Sequence, residues 1–369
     1  MSVTAAPKIP VARHYNMYVG TYTGPHSKGI YVFRYDTRSA EFTPLGLAGE
    51  MVRPSFLAVS SNDKFLYAVS ELGNSGRTHG YVYSFSIDSA SGKLTFVNKQ
   101  DSRGGGACHL VVDQTGKFLL LANYGSGSAA VFALSPDGGI GESTAFEQFS
   151  GTGPDRKRQR GPHAHSVVLS HDNRFLFVPD LGTDRIHIFR FDAATGRLTP
   201  NQPPFATVDP GAGPRHLTFT PNGRFAYVVD EMGSSVTAFR YDATAGALNK
   251  LQAISTLPAG NTHENDSAEI ETDSGGRFVY ASNRRNDSIA VFSIAKASGK
   301  LTRIQVEPTR GRTPRNFTID PTGKYLLAAN QDSNNIVVFR IDRKTGKLSA
   351  TGKVLEAPSP VCLTFVPAE

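Results

Sequence analysis

Four ionisable residues in the middle of the chain, His165, Arg215, Glu231 and Arg284, form a set that could carry out acid–base chemistry. A histidine has a pKa suited to proton transfer near neutral pH, and a glutamate can act as a base or hold another catalytic group in position. Arginines keep their protons and can form paired hydrogen bonds to a carboxylate, a phosphate or a developing oxyanion. Two cations beside one histidine and one carboxylate favour an anionic substrate.

An internal repeat of about 50 residues relates the segments that carry these residues. The phrase spanning residues 213–231 returns at residues 313–331, and weaker copies surround Lys64, Lys117, Arg174 and Arg277. This period is typical of a β-propeller blade and is long for a helical solenoid. Positions at which one copy departs from the others are therefore candidates for function.

Each repeat contains three clear apolar runs and a weaker fourth, which predict four strands. In the unit that begins at Pro214 they are Leu217–Thr220, Phe225–Val229, Ser235–Tyr241 and Leu248–Ile254, with a Pro221-Asn222-Gly223 turn after the first. The second runs are apolar throughout, which indicates burial on both faces. Polar residues break the fourth run in most copies, as expected of an exposed edge.

There are seven third runs, which indicates seven blades. They are Ile30–Tyr35, Tyr81–Ile87, Ala129–Leu134, Arg185–Phe191, Ser235–Tyr241, Ser288–Ile294 and Asn335–Ile341. The sequence therefore predicts an all-β, seven-bladed propeller of four-stranded antiparallel blades. Met17–Tyr22 resembles a second strand and Val361–Val366 a first strand, so pairing of the terminal strands should close the ring. We expect one domain over residues 15–369 and a loose tail over residues 1–14.

The repeat also predicts where the ionisable residues lie. The residue before the first strand and the residue after the second should lie on the same rim of the channel, and the ionisable ones gather on blades four to six. We therefore expect the four residues named above to converge as catalytic groups. We expect nearby substrate-binding roles for His163, His216, Glu269, Asn283, Arg315 and Gln331.

Simpler interpretations stay open for several of these residues. Arg215 and Glu231 could form only a rim salt bridge, and His165 could be a hydrogen-bonded buried histidine. His163 and His165 share a strand face and could bind a metal, but no acidic third ligand lies near them in sequence, so we expect neither a metal nor a cofactor. Asn283 occupies a position where Asn or Asp recurs, which favours a turn-capping role.

Composition excludes few classes of function. The net charge of +7 and the pI near 9.3 are moderately basic, but the basic residues are spread over all repeats, so we expect no nucleic-acid partner. No run is long enough for a membrane helix and no signal peptide is visible. We therefore expect a cytoplasmic monomer or weak homodimer, with a trimmed export signal left open. Whether Cys108 and Cys362 pair is also open.

Several dissimilar phrases, in order along residues 15–366, resemble the seven-bladed lactonase family. They are Val19-Gly20-Thr21-Tyr22-Thr23, Pro162-His163-Ala164-His165, Gly213-Pro214-Arg215-His216-Leu217, Val229-Asp230-Glu231, Ala268-Glu269-Ile270, Ser282-Asn283-Arg284 and Thr313-Pro314-Arg315. That family includes bacterial propeller-type 6-phosphogluconolactonases and fungal carboxymuconate lactonizing enzymes. By resemblance, the family's proposed active-site residues carry over onto His165, Arg215, Glu231 and Arg284.

The resemblance implies hydrolysis of a sugar lactone, with 6-phosphogluconolactone or a related anionic aldonolactone as the substrate. His165 or Glu231 would activate water, and the arginines would bind the anion and stabilise the transition state. A cycloisomerase that forms a lactone from a carboxymuconate-type dicarboxylate could use the same residues. A non-enzymatic binding platform is the third possibility, since folds of this kind host many functions.

Overall fold

Each sequence repeat folds as an antiparallel sheet in the computed structural model, which describes residues 11–261 and 263–369. Twenty-eight strands form seven sheets of four. The innermost strands are β4 (Pro54–Val59), β8 (Ala107–Val112), β12 (Val168–Leu169), β16 (Pro214–Phe219), β20 (Ser267–Thr272), β24 (Pro314–Ile319) and β28 (Pro360–Pro367). The innermost strands β16, β20, β24, β28, β4 and β8 contact one another in this order around a central channel.

The other three strands of each blade follow outwards. The second strands are β1 (His14–Thr21), β5 (Phe65–Ser70), β9 (Phe118–Asn123), β13 (Phe175–Asp180), β17 (Phe225–Asp230), β21 (Phe278–Asn283) and β25 (Tyr325–Asn330). The third strands are β2 (Gly29–Asp36), β6 (Tyr81–Ile87), β10 (Ser128–Leu134), β14 (Arg185–Asp192), β18 (Ser235–Asp242), β22 (Ser288–Ile294) and β26 (Asn335–Ile341). The outermost are β3 (Glu41–Glu50), β7 (Leu94–Asp101), β11 (Ile140–Gln148), β15 (Arg197–Thr207), β19 (Ala247–Ser255), β23 (Leu301–Pro308) and β27 (Leu348–Glu356).

The ring closes as the sequence predicts. Strand β1 pairs antiparallel with β28, with Met17 opposite Phe365 and Val19 opposite Leu363. The first sheet thus combines the last strand of the chain with its first three, which ties the two ends of the propeller together. The seven-bladed, all-β prediction is confirmed.

The turn between the first two strands contains a Gly, Asn or Asp with positive φ directly before a Lys or Arg. In blade five, Thr220 donates from its hydroxyl to the Asn222 side chain at 2.8 Å, and the Asn222 side chain accepts from the Arg224 amide at 3.0 Å. Gly223 has a φ of 64°, in the left-handed region that favours glycine. This compact turn sets the register of the two inner strands of the blade.

The apolar core lies between neighbouring blades. Strands β17 and β21 are buried along their whole length. Tyr227 and Val229 of blade five pack in one cluster with Ile270, Val279 and Ala281 of blade six. Burial on both faces therefore accounts for the continuous apolar runs in the sequence. The rigid stack that results holds the ends of the inner strands in fixed positions around the channel.

The outermost strands are continuous rather than broken. They run for eight to eleven residues, as in β23 and β15. Every pairing between a third and a fourth strand contains a register shift, for example between Ala238 and Phe239. Such bulges are one way in which proteins protect an exposed sheet edge from further pairing.

At the amino-terminal end, β1 begins at His14, while the first ten residues of the predicted tail lie outside the described residues. The single helical segment of the described chain is a 3-10 turn at Gln331–Ser333. None of the helices described there has the length and apolar character needed to cross a membrane.

Candidate active site

Bulges at the start of the inner strands place the polar residues at one rim of the channel. In blade five the register shifts between Pro214 and His216, so Arg215 and His216 both face the channel although they are consecutive. Glu231 and Arg284 immediately follow β17 and β21. His165 lies before the short strand β12 and donates its amide to the Pro179 carbonyl at 2.9 Å. Three neighbouring blades thus contribute to one site.

Glu231 is the centre of this site. One carboxylate oxygen accepts from Arg215 Nε at 3.1 Å and lies 2.8 Å from Arg284 Nη2, and the other oxygen accepts from Arg158 Nη2 at 2.6 Å. His165 Nε2 lies 3.8 Å from the first oxygen. The carboxylate is buried, so three guanidinium groups replace the water that would otherwise surround its charge.

Electrostatics separate the two candidate proton acceptors. Burial alone would raise the pKa of Glu231, but the three guanidinium groups outweigh it and lower this pKa to about 2. Burial, followed by the positive charge of Arg215, lowers the pKa of His165 well below its usual value of 6.5. At neutral pH Glu231 is therefore ionised and His165 is neutral. Of the two groups, only the neutral imidazole of His165 can both accept and donate a proton in this state.

Tyr124 and Cys108 hold the His165 ring on its other sides. The Tyr124 ring packs edge-on against His165 with centroids 5.3 Å apart, and its hydroxyl accepts from Arg158 at 3.3 Å. Cys108 Sγ lies 3.9 Å from His165 Nδ1. Cys108 and Cys362 are both buried free thiols, so the open question of their pairing is answered by the structure.

A cavity of about 200 Å³, here called the outer cavity, opens above this cluster. Its wall comprises Glu71, Asn74, Cys108, Tyr124, Arg158, His165, Glu231, Arg284 and Arg315. A larger cleft of about 700 Å³ lies between the outer strands of blades one and seven, but it lacks a comparable group of ionisable side chains. We therefore place the candidate site in the outer cavity.

A much smaller space of about 10 Å³, here called the inner chamber, lies further into the channel. It shares four wall residues with the outer cavity: Glu71, Cys108, His165 and Arg315. Arg215, His216 and Glu269 line its remaining polar side. The two spaces are therefore contiguous, and the predicted residues His216 and Glu269 belong to the deeper one.

Arg315 is distinct from the other arginines of the site. Its guanidinium carbon lies 5.2 Å from the Tyr22 ring centroid, a cation–π arrangement. The Tyr22 hydroxyl donates to Glu71 at 2.8 Å. Within residues 11–261 and 263–369, no side chain or carbonyl accepts a hydrogen bond from the Arg315 guanidinium, which leaves its donors available to a ligand in either cavity.

Three of the predicted substrate-binding residues lie outside both walls. His163 stacks on Tyr124 and contacts its carbonyl through Nδ1 at 2.9 Å, so it supports the cavity wall from behind. Asn283 is fully buried, and its side-chain oxygen accepts from Thr256, Asn265 and Ser267. Gln331 contacts Asp332 at the rim. The proposed substrate contacts below therefore do not include these three residues.

Arg158, Tyr124 and Glu71 are site residues that the sequence set did not include. Tyr124 and Glu71 occupy the same post-strand position as Glu231 in their own blades, so the repeat register contained the signal that could have found them. Arg158 lies in the long segment between β11 and His163, within the basic run at residues 155–160, to which the repeat register does not extend. Only the path of that loop brings its guanidinium over the cavity.

The described ranges contain no cluster of three or more His, Cys, Asp or Glu side chains arranged to hold a metal ion. His163 and His165, the pair considered as metal ligands, have different partners: His163 faces Tyr124, and His165 faces Glu231. The ionisable side chains of the outer cavity wall include one imidazole, two carboxylates and three guanidinium groups.

A seven-bladed propeller with an arginine-rich cavity at its channel mouth defines the class of protein. The sequence model of the family described as "Lactonase, 7-bladed beta-propeller" matches residues 16–365, and the chain belongs to this family.

Named relatives are similar over nearly the whole chain. The chain is 36% identical over 350 residues to a 6-phosphogluconolactonase of Bacillus subtilis, covering 95% of this chain and 97% of the relative. It is 40% identical to a 6-phosphogluconolactonase of Formosa agariphila, covering 83% and 86% of the two chains. The periplasmic gluconolactonase of Pseudomonas aeruginosa superposes with a TM-score of 0.90 at 32% identity, covering 96% of this chain and 100% of that one.

Proposed function

We propose that this protein hydrolyses an anionic sugar lactone in the outer cavity, with 6-phosphogluconolactone as the leading substrate. The observation that carries the proposal is the charge of the cavity. The cavity is lined by three arginines, Arg158, Arg284 and Arg315, whereas its two carboxylates, Glu71 and Glu231, supply only two negative charges. Glu231 also contacts a further arginine, Arg215. This excess of positive charge suits an anion. The similarity to two relatives named 6-phosphogluconolactonase supports the same substrate.

Each residue type has a defined part in the hydrolysis. Arg158 and Arg284, at the more open side, bind the anionic group of the substrate. Arg315 has guanidinium donors free and stabilises the negative charge that develops on the carbonyl oxygen. His165 contacts the reacting atoms and exchanges a proton with them, because a neutral imidazole can both accept and donate one, whereas burial raises the pKa of the Tyr124 hydroxyl and of the Cys108 thiol in the same wall. Glu231 keeps the guanidinium groups in register around the substrate.

The first experiment measures lactone hydrolysis by the purified protein, with 6-phosphogluconolactone, glucono-δ-lactone and a carboxymuconate as substrates and the uncatalysed rate subtracted. The protein should hydrolyse 6-phosphogluconolactone with the highest kcat/KM. The H165A variant should lose about 10²–10⁴ in kcat, the range expected for one acid–base group. The matched control is H171A, because His171 lies exposed on the turn before β13 and contacts no cavity residue.

Two outcomes would count against the proposal. Wild-type rates for H165A on the preferred lactone would remove His165 from the mechanism. Turnover of the carboxymuconate into a lactone, identified by NMR of the product, together with no lactone hydrolysis, would favour the cycloisomerase instead.

The proposal includes one propeller domain over residues 15–369, in a cytoplasmic monomer or weak homodimer. The pairing of β1 with β28 supports the single domain, because the first sheet would be broken if either end of the chain were separated from the rest. Limited proteolysis, light scattering and cell fractionation test these three statements.

A further inference from the structure

The inner chamber contains a histidine–carboxylate pair that the roles above do not use. Glu269 is buried, and its first oxygen lies 2.9 Å from His216 Nδ1 and accepts from the Ile270 amide at 3.0 Å. Its second oxygen accepts from the Asn316 side chain at 2.6 Å, and Asn316 in turn accepts from the Leu363 amide at 3.0 Å. The carboxylate is therefore held on both oxygens by three blades.

These contacts determine the form of the His216 ring. Burial raises the pKa of Glu269, but the partners of the carboxylate, His216 first, reverse this and lower it, so Glu269 is ionised and can only accept. His216 Nδ1 must then carry the proton, and Nε2 has a free lone pair. His216 is 5% exposed, and in the described part of the chain Nε2 has no hydrogen-bond partner. A buried nitrogen of this kind requires a ligand with a proton to donate.

The chamber has the size of one water molecule. A cavity needs roughly 10–15 Å³ to hold one water, together with two to four polar partners. The inner chamber measures about 10 Å³ and is lined by His165, Arg215, His216, Glu269 and Arg315. A single water is therefore the ligand that matches the volume, the polarity and the free nitrogen of His216.

We propose that the inner chamber binds the attacking water and that His216, oriented by Glu269, takes the proton of this water in lactone hydrolysis. The inference rests on the proposed function, since it concerns the same reaction. The chamber shares His165 and Arg315 with the outer cavity, so a carbonyl group at the common wall faces the water on one side and the free guanidinium on another.

The water oxygen forms a bond to the carbonyl carbon, its proton passes to His216 Nε2, and the carbonyl electron pair moves onto the oxygen beside Arg315. When that pair returns, the bond between the carbon and the ring oxygen breaks. The His216 imidazolium passes its proton to His165 as His165 passes one to the leaving alkoxide, so no imidazolate forms; the two ring centroids are 5.4 Å apart. Both histidines end neutral, and the product is the open hydroxy acid.

His109 offers a matched control for the test. Its ring packs against His216 with centroids 5.0 Å apart, so it has a similar buried position, but it lacks a carboxylate partner and does not line the inner chamber. The variants are H216N, E269Q and H109N. The measurements are kcat and KM for the lactone that the wild type prefers, the Kd for gluconate 6-phosphate, and the melting temperature.

H216N should lower kcat at least 100-fold, with KM and the Kd for gluconate 6-phosphate within about threefold of the wild type. E269Q should lower kcat at least tenfold, and it should also move the acidic limb of the kcat profile to lower pH. The direction follows because the Glu269 carboxylate raises the pKa of His216 against the lowering by burial, and an amide removes that contribution. H109N should keep kcat within about threefold.

The outcomes separate the two proposals. If the wild type hydrolyses the lactone and H216N keeps more than a third of the wild-type kcat, the role of His216 is overturned. The proposed function is then left intact. A loss of activity in E269Q with an unmoved pH profile would show a structural role only and would also overturn it. Absence of lactone turnover in the wild type would overturn both. Nitrogen-15 NMR of His216 provides a readout besides activity: a proton on Nε2 at pH 7 would contradict the inference.

Discussion

The E231Q substitution tests whether the buried carboxylate is the anchor of the site. Glutamine has the shape of the protonated glutamate, so the variant reproduces the low-pH form of the residue. The lowering of the Glu231 pKa from 4.5 to about 2 corresponds to roughly 3 kcal/mol, at about 1.4 kcal/mol for each pKa unit. Removal of one partner from a buried ion pair typically costs about 3–5 kcal/mol, which agrees with this magnitude.

The pH dependence of the effect has a definite sign. Because the pKa is lower in the folded state, the carboxylate contributes its full stabilisation above the unfolded-state pKa near 4.5, and this stabilisation is lost as the pH falls through about 2. We therefore expect E231Q to reduce the free energy of unfolding by roughly 3 kcal/mol at pH 7 and by less than half of that at pH 3.

Urea unfolding followed by circular dichroism measures this difference without adding a competing cation. The control is E264Q: Glu264 contacts Arg285 at 2.8 Å but is almost fully exposed, so its loss should cost less than about 1 kcal/mol. If E231Q costs no more than E264Q at pH 7, or costs the same at pH 3 as at pH 7, the three-arginine cradle does not stabilise the carboxylate as argued.

Two further results follow from the division of labour among the arginines and from the residues of the cavity wall. R315M should lower kcat about 10²–10³-fold on both 6-phosphogluconolactone and glucono-δ-lactone. R158M should raise KM about tenfold, and only for the phosphorylated lactone. Steady-state kinetics on the two lactones check both expectations, and equal effects of the two variants on KM would contradict them. Incubation with EDTA followed by gel filtration should leave kcat unchanged, and loss of activity restored by a divalent cation would show a metal that this set of residues does not predict.

Much of the fold could be predicted from the sequence, because it depends on short-range patterns. Apolar runs that are buried on both faces, separated by turns with Gly, Asn or Asp before Lys or Arg, favour closely stacked sheets, and the number of repeats gives the number of blades. The alignment of the repeats also singled out His165, Arg215, Glu231 and Arg284. In the structure the other three side chains lie around the Glu231 carboxylate. Ring closure by the terminal strands also followed from the incomplete first and last repeats.

Only the tertiary structure decided how the site works, because the relevant quantities depend on neighbours that are distant in sequence. Arg158 reaches Glu231 from a loop outside the repeat, and this third cation helps to lower the pKa of the carboxylate. The bulge before His216 turns two consecutive side chains into the channel, whereas an unbroken strand would send them to opposite faces. Burial and partner geometry, which no single repeat specifies, set the protonation state of each group.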